Sequence, residues 1–209
     1  MTGLVYNGGS MKAIATMWNM LTKAYGVNDK RLIAPEWTIN TYYEVAAMGP
    51  ADSSKEIWMQ MMQAMLAERF ALKCRIEERQ TDVFALTAGD GPLKLIPATE
   101  EAPIDYSHTF QQFKQKSATF ANLVFFMTPA MGREVVDLTG LPGKYTFDLD
   151  WKYALSDPAN TTRQPDGTGI LDPIFATKAL KSVGLKLEAR KMAMKYVVVE
   201  RINKDPSAN

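Results

Sequence analysis

Four places in this 209-residue chain carry residue types that do chemistry. Asp105-Tyr106-Ser107-His108 sets an acid, a serine and the chain's one histidine side by side. A serine nucleophile and its histidine base need a fixed hydrogen bond and a third, orienting group in a preorganised pocket. Neighbours in a stretch of Gly, Pro and acidic residues supply none of these, so His108 reads as a linker histidine. Met59, Met61, Met62 and Met65 offer thioethers of the kind that hold Cu(I). At helical spacing, however, Met61 and Met65 share a face with Ile57 and Leu66 while Met59 points away, which is how methionine fills a core. Asp137 opens the string Asp137-Leu138-Thr139-Gly140. Hydrolysis by paired carboxylates needs a second such Asp on a facing loop, and the equivalent earlier place holds Ala34-Pro35. Asp137 and Thr139 therefore read as side chains that satisfy turn amides ahead of Gly140. The last place is a pair of tryptophans: Trp37 just before a strand carrying Tyr43, and Trp151 just after one carrying Tyr145. Exposed, they would anchor an interface; buried, they are large core residues. Trp37, Asp137, Tyr145 and Trp151 are thus the candidate binding residues. No catalytic set, metal-ligand set or cofactor motif emerges.

Composition narrows the field further. Lys plus Arg is 24 against 23 Asp plus Glu, which leaves no net field to attract nucleic acid or an anionic membrane. A single cysteine, Cys74, excludes an internal disulfide and any multi-cysteine zinc site. The apolar fraction of 46% suffices for a real core. No apolar run approaches the roughly 18 residues that span a membrane. The opening Met1-Thr2-Gly3-Leu4-Val5-Tyr6 has neither the basic nor the apolar region of a signal peptide. Either the protein is cytosolic or its leader lies ahead of this sequence.

The periodicities place these residues on elements. Leu4–Asn7 reads as a strand, and Ser10 caps an apolar-periodic helix to Tyr25 through Ile14, Trp18 and Leu21. Leu32-Ile33 and Thr38–Met48 read as strands. Ser53 and Glu56 stand at capping-box spacing before a helix whose apolar face runs from Ile57 to Phe70. Leu72–Ile76 and Val83–Thr87 read as strands about a polar turn at Glu78–Asp82. Gly89 to His108 reads as a linker. Phe113–Ala118, an apolar helix Phe120–Met127, Val135-Val136 and Tyr145–Leu149 follow, with Leu141-Pro142-Gly143-Lys144 as a type II turn. A polar loop from Ser156 to Gly169 leads to a helix opened by Asp172-Pro173 and stopped at Gly184. Leu185–Leu187 and Tyr196–Val199 are the last strands, and the tail reads as frayed.

The order repeats. An offset of 113 residues sets Phe70 on Val183, Leu72 on Leu185, Cys74 on Leu187 and Phe84-Ala85-Leu86 on Val197-Val198-Val199. Earlier in the halves Tyr43 falls on Tyr145, an offset of 102, and the longer loop before the second helix absorbs the difference. The expected fold is α+β with two similar halves, each strand-helix-strand-strand-helix-strand-strand, from internal duplication. The first half spans residues 1–88, a linker 89–108, the second half 109–203 and a tail 204–209. This order is similar, by analogy only, to the signalling domains of secretins and siderophore transporters.

Several strings also resemble one family. They are Ala24-Tyr25-Gly26-Val27, Ala34-Pro35-Glu36-Trp37, Met61 through Lys73, Val136 through Tyr145, and Val183 through Glu188 followed by Val197-Val198-Val199 and the ending Pro206–Asn209. The chain resembles the uncharacterised proteins expanded in soil bacteria and grouped as domain-of-unknown-function family 3738. Asp137 to Tyr145 is the most specific string. Cys74 departs from the pattern, since the family's residue there is histidine. The resemblance implies a secretion leader ahead of this chain, hence an exported protein, periplasmic or extracellular. In some relatives it implies fusion to a membrane sensor peptidase. It implies no activity. The expectation is a non-catalytic, exported interaction or sensory domain whose partner is another envelope protein. The alternatives are a small-ligand binder and a hydrolase with carboxylates gathered between the halves.

Overall fold

A computed structural model describes residues 6–7, 9–51, 53–98, 112–150, 161–163, 169–171 and 173–207. The chain is a mixed α+β protein. It divides into two compact units that interleave along the sequence: Met1–Gln80 with Ala193–Asn209, and Thr81–Met192. The units change over inside two long strands, because β5 (Lys73–Ala88) and β12 (Leu185–Arg201) each give one end to either unit.

In the first unit β1 (Tyr6–Asn7), β2 (Ser10–Thr16) and β4 (Tyr42–Met48) form an antiparallel sheet in the order β1-β2-β4. Helices α1 (Met17–Tyr25) and α3 (Lys55–Phe70) belong to the same unit, and the Gln63 amide ties them by donating to the Ala24 carbonyl at 2.6 Å. The short strand β3 (Leu32–Ile33) pairs parallel to β12, with Leu32 opposite Val197. Met17, Met20, Leu21 and Leu66 are completely buried in this unit's core. Each contributes about 1.5–3 kcal/mol by leaving water.

The second unit has its own core. β6 (Ile96–Pro97), β9 (Tyr145–Asp150) and β7 (Gln112–Ala118) form an antiparallel sheet of order β6-β9-β7. Helix α4 (Phe120–Ala130) opens with a reciprocal capping box between Thr119 and Asn122. Strand β8 (Val135–Asp137) runs parallel to β5, with Phe84 opposite Val135. A hairpin, β10 (Thr161–Arg163) with β11 (Gly169–Leu171), precedes helix α5 (Pro173–Ser182). Phe147 meets both Phe113 and Phe120 edge-on in this unit's own core.

Several expectations change. Ser10–Thr16 is a strand, and the helix starts only at Met17, capped by the Thr16 hydroxyl, which accepts from the Asn19 amide at 3.1 Å. Met11, Ala13 and Ala15 face the core with period two, and Ile14, expected on a helix face, is 56% exposed. Pairing with β4 along seven residues overrides the local helical pattern. Thr38 lies in a one-turn helix, α2 (Trp37–Asn40), so the strand expected from there begins at Tyr42. Ser54 rather than Ser53 caps α3 through its hydroxyl, and Ile57 is exposed while Trp58, Met62, Leu66 and Phe70 form the buried stripe. The polar residues Glu78–Asp82 make no turn but continue β5 without a break. Pro129 sits inside the last turn of α4, which runs on to Ala130. The tail is held: Asn203 donates its N–H to Phe70 O at 2.8 Å and Ser207 its N–H to Arg69 O at 2.7 Å. The described part of the linker is structured as well, with Leu95 buried and β6 paired to β9.

Candidate functional site

Asp137 ends β8 in an exposed position. Its carboxylate accepts from the Thr139 N–H at 2.9 Å and from the Thr139 hydroxyl at 2.7 Å, and the Thr139 oxygen accepts from the Leu141 N–H at 3.2 Å. These bonds close an Asx-type turn ahead of Gly140 and Gly143, both with positive φ. Tyr145 follows that turn. Its ring is buried against Phe120 and Phe147, and its hydroxyl donates to Pro142 O at 3.1 Å. Trp37 belongs to the other unit, where it is half-buried and packs against the first core. Trp151 and the Asp105–His108 string lie outside the described residues. Asp137 and Tyr145 therefore flank one turn of the second unit, and Trp37 belongs to the first.

The methionines sit where packing needs them. Met62 is buried, Met61 and Met65 are half-buried against the first core, and Met59, expected to point away, is also half-buried. Among the described residues no three His, Cys, Asp or Glu gather as metal ligands, and no helix is long and apolar enough to cross a membrane. Cys74 is half-buried beside Tyr25. Burial, and then the hydrogen bond to the Cys74 thiol, push the Tyr25 phenol well above its ordinary value.

A concave site does form in the first unit, along β4 and α3. It is a groove of about 530 Å³ lined by Met20 of α1, Tyr43 to Ala46 of β4, Met61, Ala64, Met65, Glu68, Arg69 and Phe70 of α3, and Pro206. The pattern of β4 explains one wall: Tyr43 and Val45 turn toward the core while Glu44 and Ala46 turn outward. The last turns of α3 supply the other. Tyr43 is fixed there by donating to Lys204 O at 2.6 Å and by an edge-on contact with Phe70. Burial and then the nearby Asp205 charge raise its phenol pKa. Methionine, alanine and aromatic side chains line the groove together with the charged groups Glu44, Glu68 and Arg69. Glu44 pairs with Lys12 at 3.3 Å. The Nε of Arg69 is buried without a hydrogen-bond partner among the described residues. Sequence reasoning missed this groove, although one signal was there: β4 carries strand alternation, yet the chain follows it with a helix and no pairing strand.

Fold and groove together define a mixed α+β protein of two units, one of them with an apolar groove beside a sheet edge. The chain belongs to the family described as Protein of unknown function (DUF3738), which it matches over residues 18–202. No curated protein matches it, and no solved structure does.

Proposed function

We propose that this chain is a non-catalytic, exported domain that binds another protein, with the groove along β4 and α3 as its receiving surface. The groove itself carries the reading. Apolar concavities with a few convergent polar groups are where proteins take ligands, and this one joins methionine and aromatic side chains to a guanidinium. Methionine suits such a surface because its flexible thioether adapts to what it meets. The exported compartment and an envelope partner rest on the family resemblance. The element order of the secretin and transporter signalling domains adds an analogy of the same direction.

We also read the two units as products of one duplication. The pairing of Ala15 with Tyr43 has its counterpart in Ala118 with Tyr145, and that of Leu32 with Val197 in Val135 with Phe84. The caps Thr16 and Thr119 open the equivalent helices.

The test is capture of partners from a cell-envelope extract by the full chain and by an Ala64→Arg variant. Ala64 is exposed on the groove wall, so arginine there fills the groove without touching the core. The expected result is one or more proteins held by the wild type and released by the variant. Equal capture by both, or turnover of a substrate that the variant does not change, overturns the reading.

A further inference from the structure

We propose that the groove is a strand-addition site: it takes an extended segment of the partner protein, which pairs with the outer edge of β4, buries an apolar side chain over the methionines and presents a carboxylate to Arg69. This rests on the interaction reading above and gives it a ligand chemistry.

The edge comes first. Met17 donates its N–H to Thr41 O at 3.2 Å and Gly49 its N–H to Gly9 O at 2.8 Å, at the two ends of the β2–β4 ladder. Bonded and non-bonded pairs alternate in an antiparallel ladder. Residues 43, 45 and 47 therefore exchange bonds with β2, and Tyr42, Glu44, Ala46 and Met48 turn their N–H and C=O groups the other way. No described strand lies there, because β4 ends its sheet. An unpaired edge is a template for another strand.

The second unit shows how the corresponding edge is filled. There β9 pairs with β7 as β4 pairs with β2, but β9 is central. The chain's own residues 94–98 lie along it: Ile96 pairs with Thr146, Pro97 with Tyr145, and Ala98 donates its N–H to Lys144 O at 2.9 Å. The same passage reaches the end of α5, where Lys94 donates its N–H to Val183 O at 3.0 Å, and it buries Leu95 in the core. One strand thus satisfies the sheet edge, meets the helix end and fills the core with a single leucine. In the first unit the chain's own residues 203–207 already meet the end of α3, Asn203 donating its N–H to Phe70 O and Ser207 its N–H to Arg69 O, while no described strand pairs with the edge of β4 beside the groove.

Charge then selects among extended segments. The Arg69 Nε lies buried without a hydrogen-bond partner among the described residues. A carboxylate satisfies a guanidinium better than any neutral acceptor. Glu68 on the same wall disfavours a second acid, so the segment carries one.

The probe is an acetylated hexapeptide, Leu-Glu-Leu-Ile-Pro-Ala, which is the chain's own residues 93–98 with glutamate in place of the lysine. It is titrated into the isotope-labelled full chain. The expected result is saturable amide shifts confined to residues 42–48 and the last turns of α3. Arg69→Gln weakens this peptide about tenfold, equivalent to 1.4 kcal/mol, and leaves the lysine parent unchanged. Ala46→Pro, which removes an edge-facing N–H and no bond to β2, abolishes binding while circular dichroism stays native. Should that variant unfold, the peptide N-methylated at its isoleucine, which stands two residues before the alanine whose counterpart Ala98 donates to Lys144 O, makes the same test from the ligand side. Shifts elsewhere, or binding indifferent to both backbone changes, overturns strand addition. If the peptide fails while the envelope partner is still captured and still released by Ala64→Arg, strand addition falls and the interaction reading stands. If the peptide binds and no partner is ever captured, the interaction reading falls instead.

Discussion

Gly184→Ala is the sharpest test of how the second unit is held together. Gly184 follows α5 at φ +83°, a conformation that side-chain-bearing residues rarely adopt. An added Cβ would stand 2.4 Å from Pro92 O and 2.9 Å from Leu93 Cα, both backbone atoms that cannot swing aside. The left-handed backbone costs about 1–2 kcal/mol for alanine. Forcing a methyl into packed surroundings costs about 1–3 kcal/mol more. The expected loss is therefore about 2–5 kcal/mol. At about 2–4 °C per kcal/mol for a chain of this size, the melting temperature falls by roughly 4–20 °C. Gly140→Ala is the control in the same unit: φ is +66°, but nothing lies within 4 Å of its added Cβ. It should lose only the backbone share, about 1–2 kcal/mol. Urea denaturation followed by far-ultraviolet circular dichroism measures both. Equal losses for the two variants, or a loss below about 1 kcal/mol at Gly184, would refute the close approach of residues 92–93 to the end of α5.

Ala71 stands at the position that the 113-residue offset matches to Gly184, and it too has a positive φ, 48°. Ala71→Gly should stabilise the chain by about 0.5–1 kcal/mol, read as a higher urea midpoint at an unchanged slope. Leu66→Ala should cost about 2–5 kcal/mol, because Leu66 is fully buried, while Ile57→Ala on the outer face of α3 should cost under about 0.5 kcal/mol. Equal costs would mean that α3 buries a different face. The Lys186 ammonium and the Arg190 guanidinium hold the Glu188 carboxyl below its ordinary pKa. A lowered carboxyl pKa adds stability above the unfolded value and loses it as pH falls through the folded one. Stability should therefore drop below about pH 4.5, and less so in Glu188→Gln. At the other limb the raised Tyr25 phenol stays neutral while the unfolded chain ionises. Stability should fall above about pH 10, and Tyr25→Phe should flatten that fall in a denaturation series across pH.

Local signals found most elements. Gly26 and Gly184 stop helices in left-handed conformations as their positions promise. The Leu141–Lys144 turn has its positive φ at Gly143, where a type II turn needs it. Asp137 and Thr139 close the turn that their side chains are suited to close. The elements missed are those whose partner is far away in sequence. Ser10–Thr16 is a strand because Tyr42–Met48 lies beside it. Glu78–Asp82 stays extended inside a 16-residue strand although its composition is that of a turn. Leu95 is a core residue although it stands in a stretch with the composition of a linker. The candidate site was illegible for the same reason. Tyr43, Met65 and Arg69 are ordinary residues of a strand and a helix until folding sets them along one groove.

The sequence by itself determined the α+β class, the order of the four longer helices, the glycines Gly26 and Gly184 that stop two of them, and the family. Each of these depends on interactions within a few residues, or on a string of letters. Tertiary structure alone decided that β5 and β12 each serve both units. It alone decided that residues 96–97 pair with one side of β9 while β4 ends its own sheet. Strand pairing joins backbone groups that every residue carries, so no side-chain pattern announces which edge will find a partner.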